Sequence, residues 1–184
     1  FRSVGLQETQ SLTLSNRRDQ FETMRWKKIG KPSEISNPIT IDHTLMRQFI
    51  LPSLLRLLSS NRHHELPQRV YELGEVVHNS KNGTRAAWAC AEVGSGFTAA
   101  KGISQALIRD LGCEFGNIEF APLEEGEGPW IFGRGAKILI GGEEVGQFGE
   151  VDPRVSSEFG LRSPIQAGEF DVEKLARLIP DPVL

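Results

Sequence analysis

The chain has 184 residues, a net charge of −3, 39% hydrophobic residues and 24% charged residues, which is ordinary for a soluble globular protein. Two cysteines are too few for a disulfide framework and favour a reducing, cytoplasmic setting. No stretch approaches the roughly 20 apolar residues of a membrane span, and no signal peptide is visible. We expect one domain over residues 1–184, without a membrane partner. The missing initiator Met and the abrupt end indicate a fragment of a longer polypeptide.

The first third of the chain predicts a strand and then a helix. Residues 5–16 have leucines in register for a strand. Pro52 begins a helix, because its missing N–H costs nothing at a first helical position. Leu54, Leu55 and Leu58 share one broad apolar face of that helix, so we expect them in the core or at a subunit contact.

The middle of the chain predicts a hairpin and a second helix. Strands at residues 67–78 and 84–93 are joined by the turn-forming sequence NSKNG. A helix then runs from Phe97 or Thr98 to Leu111, and Gly112 is its stop signal. Its predicted inward residues are Ile103, Ala106, Leu107 and Leu111.

The last third predicts short strands, two helices and a final strand. In chain order these are strands near Ile118 and Ile131 and at 136–140 and 144–151, a helix from Pro153 to near Gly160, a strand at 165–172 and a helix at 173–179. Hairpins and meanders dominate this pattern. It therefore favours an α+β fold, with a mostly antiparallel sheet and helices packed on it.

The residues alone give no convincing catalytic constellation, and we predict neither a catalytic residue nor a metal site. His63 and His64 are adjacent and should point apart, so a helix C-terminal role is favoured over a shared metal. The glycine-rich sequences FGRGAK and GSG lack the context of a nucleotide-binding loop and are interpreted as turns. Six basic residues between Asn16 and Lys31 could contact RNA, although a solvated face is favoured.

Glu72 is the one residue whose role stays open at this point. In a strand every second side chain shares a face, so Glu72 lies beside Val70, Gly74 and Val76. It is a catalytic carboxylate, a paired surface charge, or the remnant of a site that now does something else.

Three long runs carry a family resemblance. ITIDHTLMRQFILPSLLRLLSSNRHHELPQRVYELGEVV, FTAAKGISQALIRDLG and GEEVGQFGEVDPRVSSEFGL resemble the β subunit of phenylalanyl-tRNA synthetase, in its archaeal/eukaryotic-type form. With the opening VGLQETQSLTLSN and the closing GEFDVEKLARL, the resemblance covers nearly the whole chain in order. It implies a class II synthetase fold, an antiparallel sheet flanked by helices. It also implies an α2β2 assembly in which the α subunit activates phenylalanine.

The resemblance implies that the second class II signature is degenerate here. Active members resemble Phe-Arg-x-Glu, in which the Arg contacts the ATP α-phosphate. The corresponding residues are Tyr71, Glu72, Leu73 and Gly74, so a carboxylate replaces the Arg and a glycine replaces the Glu. A carboxylate about 4 Å from a phosphate is repelled by about 4 kcal/mol at an effective dielectric of 20. Glu72 is then a structural or paired carboxylate, with Arg85 across the hairpin as a candidate partner.

The third signature departs in the same way. Active members resemble Gly-x-Gly-x-Glu-Arg there, with the Arg on the ATP γ-phosphate. Glu169 and Asp171 stand where glycines let the backbone approach the nucleotide, and Lys174 stands where the Arg would be. Lys keeps the charge but loses the bidentate fork.

The resemblance therefore implies a non-catalytic, synthetase-like domain that packs against the α subunit and helps to position phenylalanine tRNA. ATP and magnesium are expected to serve the holoenzyme, with no cofactor in this domain. The alternative is a stand-alone paralogue with a regulatory or residual nucleotide-binding role.

Overall fold

A computed structural model describes residues 1–113 and 115–179 of the chain. In these residues the strands and α-helices follow one another along the chain in the order β1 (Gln7–Glu8), β2 (Leu14–Ser15), β3 (Leu45–Met46), α1 (Leu51–Ser60), β4 (Gln68–His78), β5 (Lys81–Ala91), α2 (Phe97–Asp110), β6 (Ile118–Pro122), β7 (Trp130–Ile140), β8 (Glu143–Val151), α3 (Pro153–Glu158), β9 (Ile165–Asp171) and α4 (Val172–Leu178). No helix of the described ranges is long and apolar enough to cross a membrane.

The main sheet has seven strands in the order β1-β4-β5-β9-β8-β7-β6. Every neighbouring pair is antiparallel except β1 and β4, which are parallel. The small sheet of β2 and β3 is antiparallel. The α+β fold with a mostly antiparallel sheet is thus confirmed, with one short parallel edge strand added.

The predicted single strand over residues 5–16 is wrong. Two-residue strands β1 and β2 lie in different sheets, and the chain between them leaves the sheet edge. Thr9 still donates its backbone N–H to Tyr71 O at 2.8 Å, and Arg47 N–H reaches Thr13 O at 2.8 Å. Backbone partners on two separate elements therefore bend a segment whose leucine spacing favours one straight strand.

The central hairpin is tighter than the sequence predicts. Strands β4 and β5 pair without a break from Gln68↔Ala91 to His78↔Lys81. Only Asn79 and Ser80 remain for the turn, and both have left-handed φ values, of 51° and 56°. Two such residues suit a two-residue hairpin turn, whose twist matches that of the strands. Strand β5 consequently begins three residues before the predicted start.

The two faces of the sheet carry separate hydrophobic clusters. Helix α1 covers one face, which we call the α1 face, and Leu54, Leu55 and Leu58 are buried there at 0%, 0% and 2% exposure. Alanines of β5 lie beneath this helix, and small side chains let it approach the sheet closely. Helices α2 and α4 cover the opposite face. Trp88 of β5 and Phe148 of β8 belong to the hydrophobic cluster on that face.

Helix α2 ends as predicted, but its inward face is rotated. Gly112 has a φ of 91°, and the N–H groups of residues 112 and 113 bond back to the carbonyls of 109 and 108, which is a Schellman cap. The fully buried residues are Ala100, Ser104 and Ile108. Ile103 and Leu107 flank this stripe, and Leu111 is 40% exposed. Small side chains face the sheet because they permit the closest packing.

Candidate functional site

The strand register brings the two segments that resemble class II signatures side by side. Glu72 on β4 lies opposite Ala87 on β5, and Ala87 lies opposite Glu169 on β9. Two residues further along β4, Gly74 lies opposite Arg85, and Arg85 lies opposite Asp171. Glu72 and Glu169 are therefore two strand spacings apart, about 10 Å between backbones.

Glu72 is buried in a hydrogen-bonded ion pair with Arg47. The side chains of Arg47 and Glu72 are 2% and 1% exposed, and Arg47 Nη2 lies 2.7 Å from Glu72 Oε1. Ser11 donates its hydroxyl to Glu72 Oε2 at 2.6 Å. Arg47 also donates Nη1–H to Ser11 Oγ at 2.8 Å and Nε–H to Glu75 O at 2.9 Å. The pair ties the N-terminal segment to β4.

Gly74 provides the space that Arg47 occupies. A Cβ atom at Gly74 would lie 2.5 Å from Arg47 Nη2 and 3.0 Å from Glu72 Oε1. A side chain at this position would therefore displace the guanidinium from its carboxylate. The position that holds a Glu in the active signature is thus kept empty for an arginine that comes from another part of the chain.

Glu169 holds the start of helix α1. Its side chain is 1% exposed, and Arg85 Nε lies 2.6 Å from its Oε1. The backbone N–H of Leu51 donates to Oε2 at 2.8 Å, and that of Ile50 reaches both oxygens at 3.1 Å. A carboxylate at a helix N-terminus satisfies otherwise unpaired N–H groups. Burial raises the pKa of Glu169, and the Arg85 charge and these N–H groups oppose that shift.

Arg85 does not pair with Glu72, so that candidate partnership is wrong. Its guanidinium binds Glu169 and lies over the ring of Phe49, 5.1 Å from the centroid. Arg85 faces Gly74 in the hairpin, two pairs away from Glu72. Arg47, 25 residues upstream of Glu72, takes the place next to it.

The remaining signature positions serve as caps and tethers. Asp171 caps α4 by accepting the N–H of Lys174 at 3.0 Å, and Lys174 Nζ donates to Glu144 O at 3.0 Å. Tyr71 points to the opposite face of the sheet from Glu72. Its hydroxyl donates to Glu8 at 3.1 Å, and its ring stacks on Phe1 at 5.1 Å.

A cavity of about 790 Å³, which we call the sheet-end cavity, opens beside β8 and β9. Among its lining residues are Glu169, Asp171, Lys174 and Arg85, whereas Tyr71, Glu72 and Gly74 do not line it. Charged and aromatic side chains complete the wall, among them Trp26, Phe49, Lys137, Glu144 and Gln147. Many of these polar groups already have protein partners: the indole N–H groups of Trp26 and Trp130 both donate to Gln147 Oε1, at 3.2 and 3.1 Å.

The prediction for the two adjacent histidines changes in the structure, whereas the favoured solvated face of the basic run is confirmed. The rings of His63 and His64 are not directed apart, because their centroids are 4.2 Å from each other in the turn that follows α1. Ion pairs occupy much of the basic run between Asn16 and Lys31: Arg17 binds Glu34, Arg18 binds Glu158, and Arg25 binds Asp152. In the described ranges no group of three His, Cys, Asp or Glu residues is placed to hold a metal ion.

Sequence reasoning missed Arg47 and the capping role of Glu169. Arg47 lies in the run HTLMRQFIL, where a lone charge among apolar residues is the only available signal. A buried arginine needs a carboxylate partner, but nothing in the sequence says which of 24 acidic residues provides it. Leu51, whose backbone N–H donates to Glu169, is 118 residues away in the chain, beyond the range of any local pattern.

Comparisons with known proteins agree with this fold. The family model described as phenylalanyl tRNA synthetase beta chain CLM domain matches residues 1–172. Phenylalanine–tRNA ligase beta subunits of Methanopyrus kandleri and Methanococcoides burtonii are 39% and 38% identical over 91% and 92% of this chain. The chain spans 29% and 31% of the length of these two relatives.

A solved structure supports the fold class alone. The pyrrolysyl tRNA synthetase PylSc of Desulfitobacterium hafniense matches with a TM-score of 0.76, over 95% of this chain and 63% of that chain, at 11% identity. The class II synthetase fold is therefore confirmed. The family model covers most of the chain. The chain therefore belongs to the phenylalanyl-tRNA synthetase β chain family and contains the CLM domain of that family.

Proposed function

We propose that this domain is a non-catalytic, synthetase-like part of a β subunit that works with an α subunit to ligate phenylalanine to its tRNA. ATP and magnesium serve the α subunit in this proposal, and the complex works in the cytoplasm. The observation that carries the proposal is the use of both signature carboxylates, Glu72 and Glu169, for internal contacts. Groups engaged in holding the fold are not available to a substrate.

The cations near the signatures are engaged as well. A nucleotide phosphate would have to draw Arg47 away from Glu72, or Arg85 away from Glu169, and would leave a buried carboxylate without its partner. Breaking a buried pair in this way typically costs about 3–5 kcal/mol. Lys174, the remaining candidate for a phosphate contact, is bound to the Glu144 carbonyl. The α1 face thus has the chemistry of a folded interior.

The α-subunit partner is supported by the relatives, which are named beta subunits of phenylalanine–tRNA ligase. The test is to express the full β chain alone and together with the α subunit, and to measure size, pyrophosphate exchange and tRNA charging. We expect activity only in the complex. A β chain lacking this domain is the control, and it should fail to form the complete assembly. Phenylalanine-dependent pyrophosphate exchange by the β chain alone would overturn the proposal.

The alternative role is that of a regulatory paralogue that keeps some nucleotide binding. The sheet-end cavity favours it, because its volume of about 790 Å³ lies in the range of small-molecule sites. Calorimetric titration with ATP and magnesium separates the two roles. We expect no binding at millimolar ligand, and micromolar binding that an adenylate analogue displaces would support the alternative.

A further inference from the structure

A second cavity, of about 760 Å³, lies away from both signatures. It is formed between the turn that follows α1 and the segment after α3, and we call it the basic cavity. Its apolar floor includes Leu58 and Leu161. The polar side chains of its wall are Arg62, His63, His64, Gln68, Ser157, Arg162 and Ser163.

No carboxylate lines this cavity, and its two arginines have no partner in the described ranges. Neither Arg62 nor Arg162 takes part in an ion pair or a side-chain hydrogen bond of residues 1–113 and 115–179. Glu158 and Glu92, next to lining residues in the chain, are bound to Arg18 and Arg69. Glu65 follows His64 in the chain but does not line the cavity. Most other arginines of the chain hold a carboxylate. Two uncompensated guanidinium groups on one concave surface create a positive potential that favours an anion.

The wall that carries these groups is well fixed. Gln68 donates its amide N–H groups to Asn61 O at 3.0 Å and to His64 O at 3.1 Å, which anchors the turn to β4. On the other side Gly160 adopts a φ of 78°, and a Cβ there would lie 3.7 Å from Arg62 Nη1. The two sides therefore approach each other at Arg62, and the backbone of the turn is anchored, while the side chains of Arg62 and Arg162 are exposed and available to a ligand.

We propose that the basic cavity binds a phosphodiester group of RNA, and that this RNA is the tRNA of the assembled enzyme. Guanidinium groups suit phosphate because their planar fork donates two parallel N–H bonds. The imidazoles of His63 and His64, whose rings lie 4.2 Å apart and are tilted by 39°, and the apolar floor offer surface against which an adjacent base could pack, as in proteins that bind unpaired nucleotides. The inference rests on the proposed function, because only an assembly that acts on tRNA brings RNA to this surface.

The test uses the full β chain assembled with its α subunit and measures tRNA affinity at several salt concentrations. The variant is Arg62→Ala/Arg162→Ala. The matched control is Arg134→Ala/Arg177→Ala, which removes the same charge from exposed pairs on other parts of the surface. Arg62→Lys/Arg162→Lys keeps the charge and removes the fork.

Each neutralised phosphate contributes about 0.7–0.9 to the slope of log affinity against log salt, the lower value applying to single strands. Loss of the one phosphodiester contact should reduce the slope by about 0.7–0.9, so between about 50 and 200 mM salt the affinity of the variant should fall by about threefold less than that of wild type. At low salt it should bind about tenfold more weakly, with the lysine variant in between. The arginine control should match wild type.

Other outcomes would overturn the inference. If affinity and slope match the control, tRNA does not occupy the cavity. If the variant weakens assembly with the α subunit but binds tRNA normally, the anion is a carboxylate of the partner. If inorganic phosphate shifts the imidazole signals of His63 and His64 while tRNA affinity is unchanged, the site takes a free phosphate. Failure of the complex to form in wild type would count against the proposed function instead.

The Arg62→Ala/Arg162→Ala variant also distinguishes ATP binding in the basic cavity from ATP binding in the sheet-end cavity. ATP bound in the basic cavity would lose affinity in Arg62→Ala/Arg162→Ala, whereas ATP bound in the sheet-end cavity would not. If ATP binds the wild-type chain, repeating the titration with this variant therefore identifies which of the two cavities holds it.

Discussion

The buried pair of Arg47 and Glu72 predicts a large loss of stability when one charge is removed. Glu72→Gln keeps the shape of the side chain but leaves the Arg47 guanidinium without a counter-charge. The side chains are 2% and 1% exposed, so water does not replace the lost partner. Breaking such a pair costs about 3–5 kcal/mol. In a chain of this size 1 kcal/mol corresponds to about 2–4 °C, so we expect the midpoint of thermal unfolding to fall by about 10 °C.

A double-mutant cycle isolates the interaction. We expect Arg47→Met and Glu72→Leu each to destabilise the chain strongly, because each leaves one buried charge. The combined variant should be more stable than either single variant, because replacing a whole buried pair with apolar groups is often neutral or favourable. Urea and thermal unfolding of the chain, followed by circular dichroism, measure these differences. Glu143→Gln, in the exposed pair with Arg177, is the control and should change stability by less than about 1 kcal/mol.

Two results would refute this reasoning. The first is a loss below about 1 kcal/mol in Glu72→Gln, which is the range of an exposed pair. The second is a combined variant whose loss equals the sum of the two single losses, since independent sites add in that way. Either result would mean that Glu72 and Arg47 do not compensate each other in the folded chain.

Three further predictions concern the core, the acid response and helix α1. Leu55→Ala should cost about 2–5 kcal/mol in urea unfolding, whereas Leu12→Ala, at a 64% exposed side chain, should stay within about 0.5 kcal/mol. Burial opposes ionisation, but hydrogen bonds from Arg154 and another arginine lower the pKa of Asp152 to about 2. Its carboxylate thus contributes about 1–2 kcal/mol above about pH 4 that is lost as the pH falls towards 2, and Asp152→Asn should abolish this part of the pH dependence of unfolding. Glu169→Gln should speed amide hydrogen exchange in the first turn of α1, because it weakens the N-terminal cap; unchanged exchange there would contradict the capping role.

Local patterns were sufficient for most of the fold. Pro52 near the start of α1, Gly112 after α2 and the alternation along β4 all act within a few residues, and each element lies close to its predicted bounds. The predicted N-terminal strand failed because its partners are remote, with Tyr71 holding one part and Arg47 meeting another. Periodicity indicates which face of an element is apolar. It does not indicate what lies against it.

In the candidate site, too, the sequence predicts local geometry but not long-range contacts. The alternation that places Glu72 and Gly74 on one face follows from strand geometry. That Glu72 meets Arg47, and that Glu169 meets the start of α1, depends on contacts 25 and 118 residues apart along the chain. The assignment of Arg85 to Glu72 was reasonable for a hairpin, but Arg85 lies two pairs from Glu72 and its guanidinium binds Glu169 instead.

The structure changes the physical reason for which a nucleotide would be excluded from the α1 face. From the sequence, Glu72 repels a phosphate by its charge. Paired with Arg47 at 2.7 Å, it forms a nearly neutral unit, so long-range repulsion is weak. A nucleotide would instead be excluded because the space is already filled. The Arg47 guanidinium occupies the space above Gly74, and α1 lies on the sheet with its first turn bound to Glu169. A substitution at Glu72 alone therefore does not reopen the face. Glu72→Arg would place a second cation against Arg47, which favours unfolding over ATP binding.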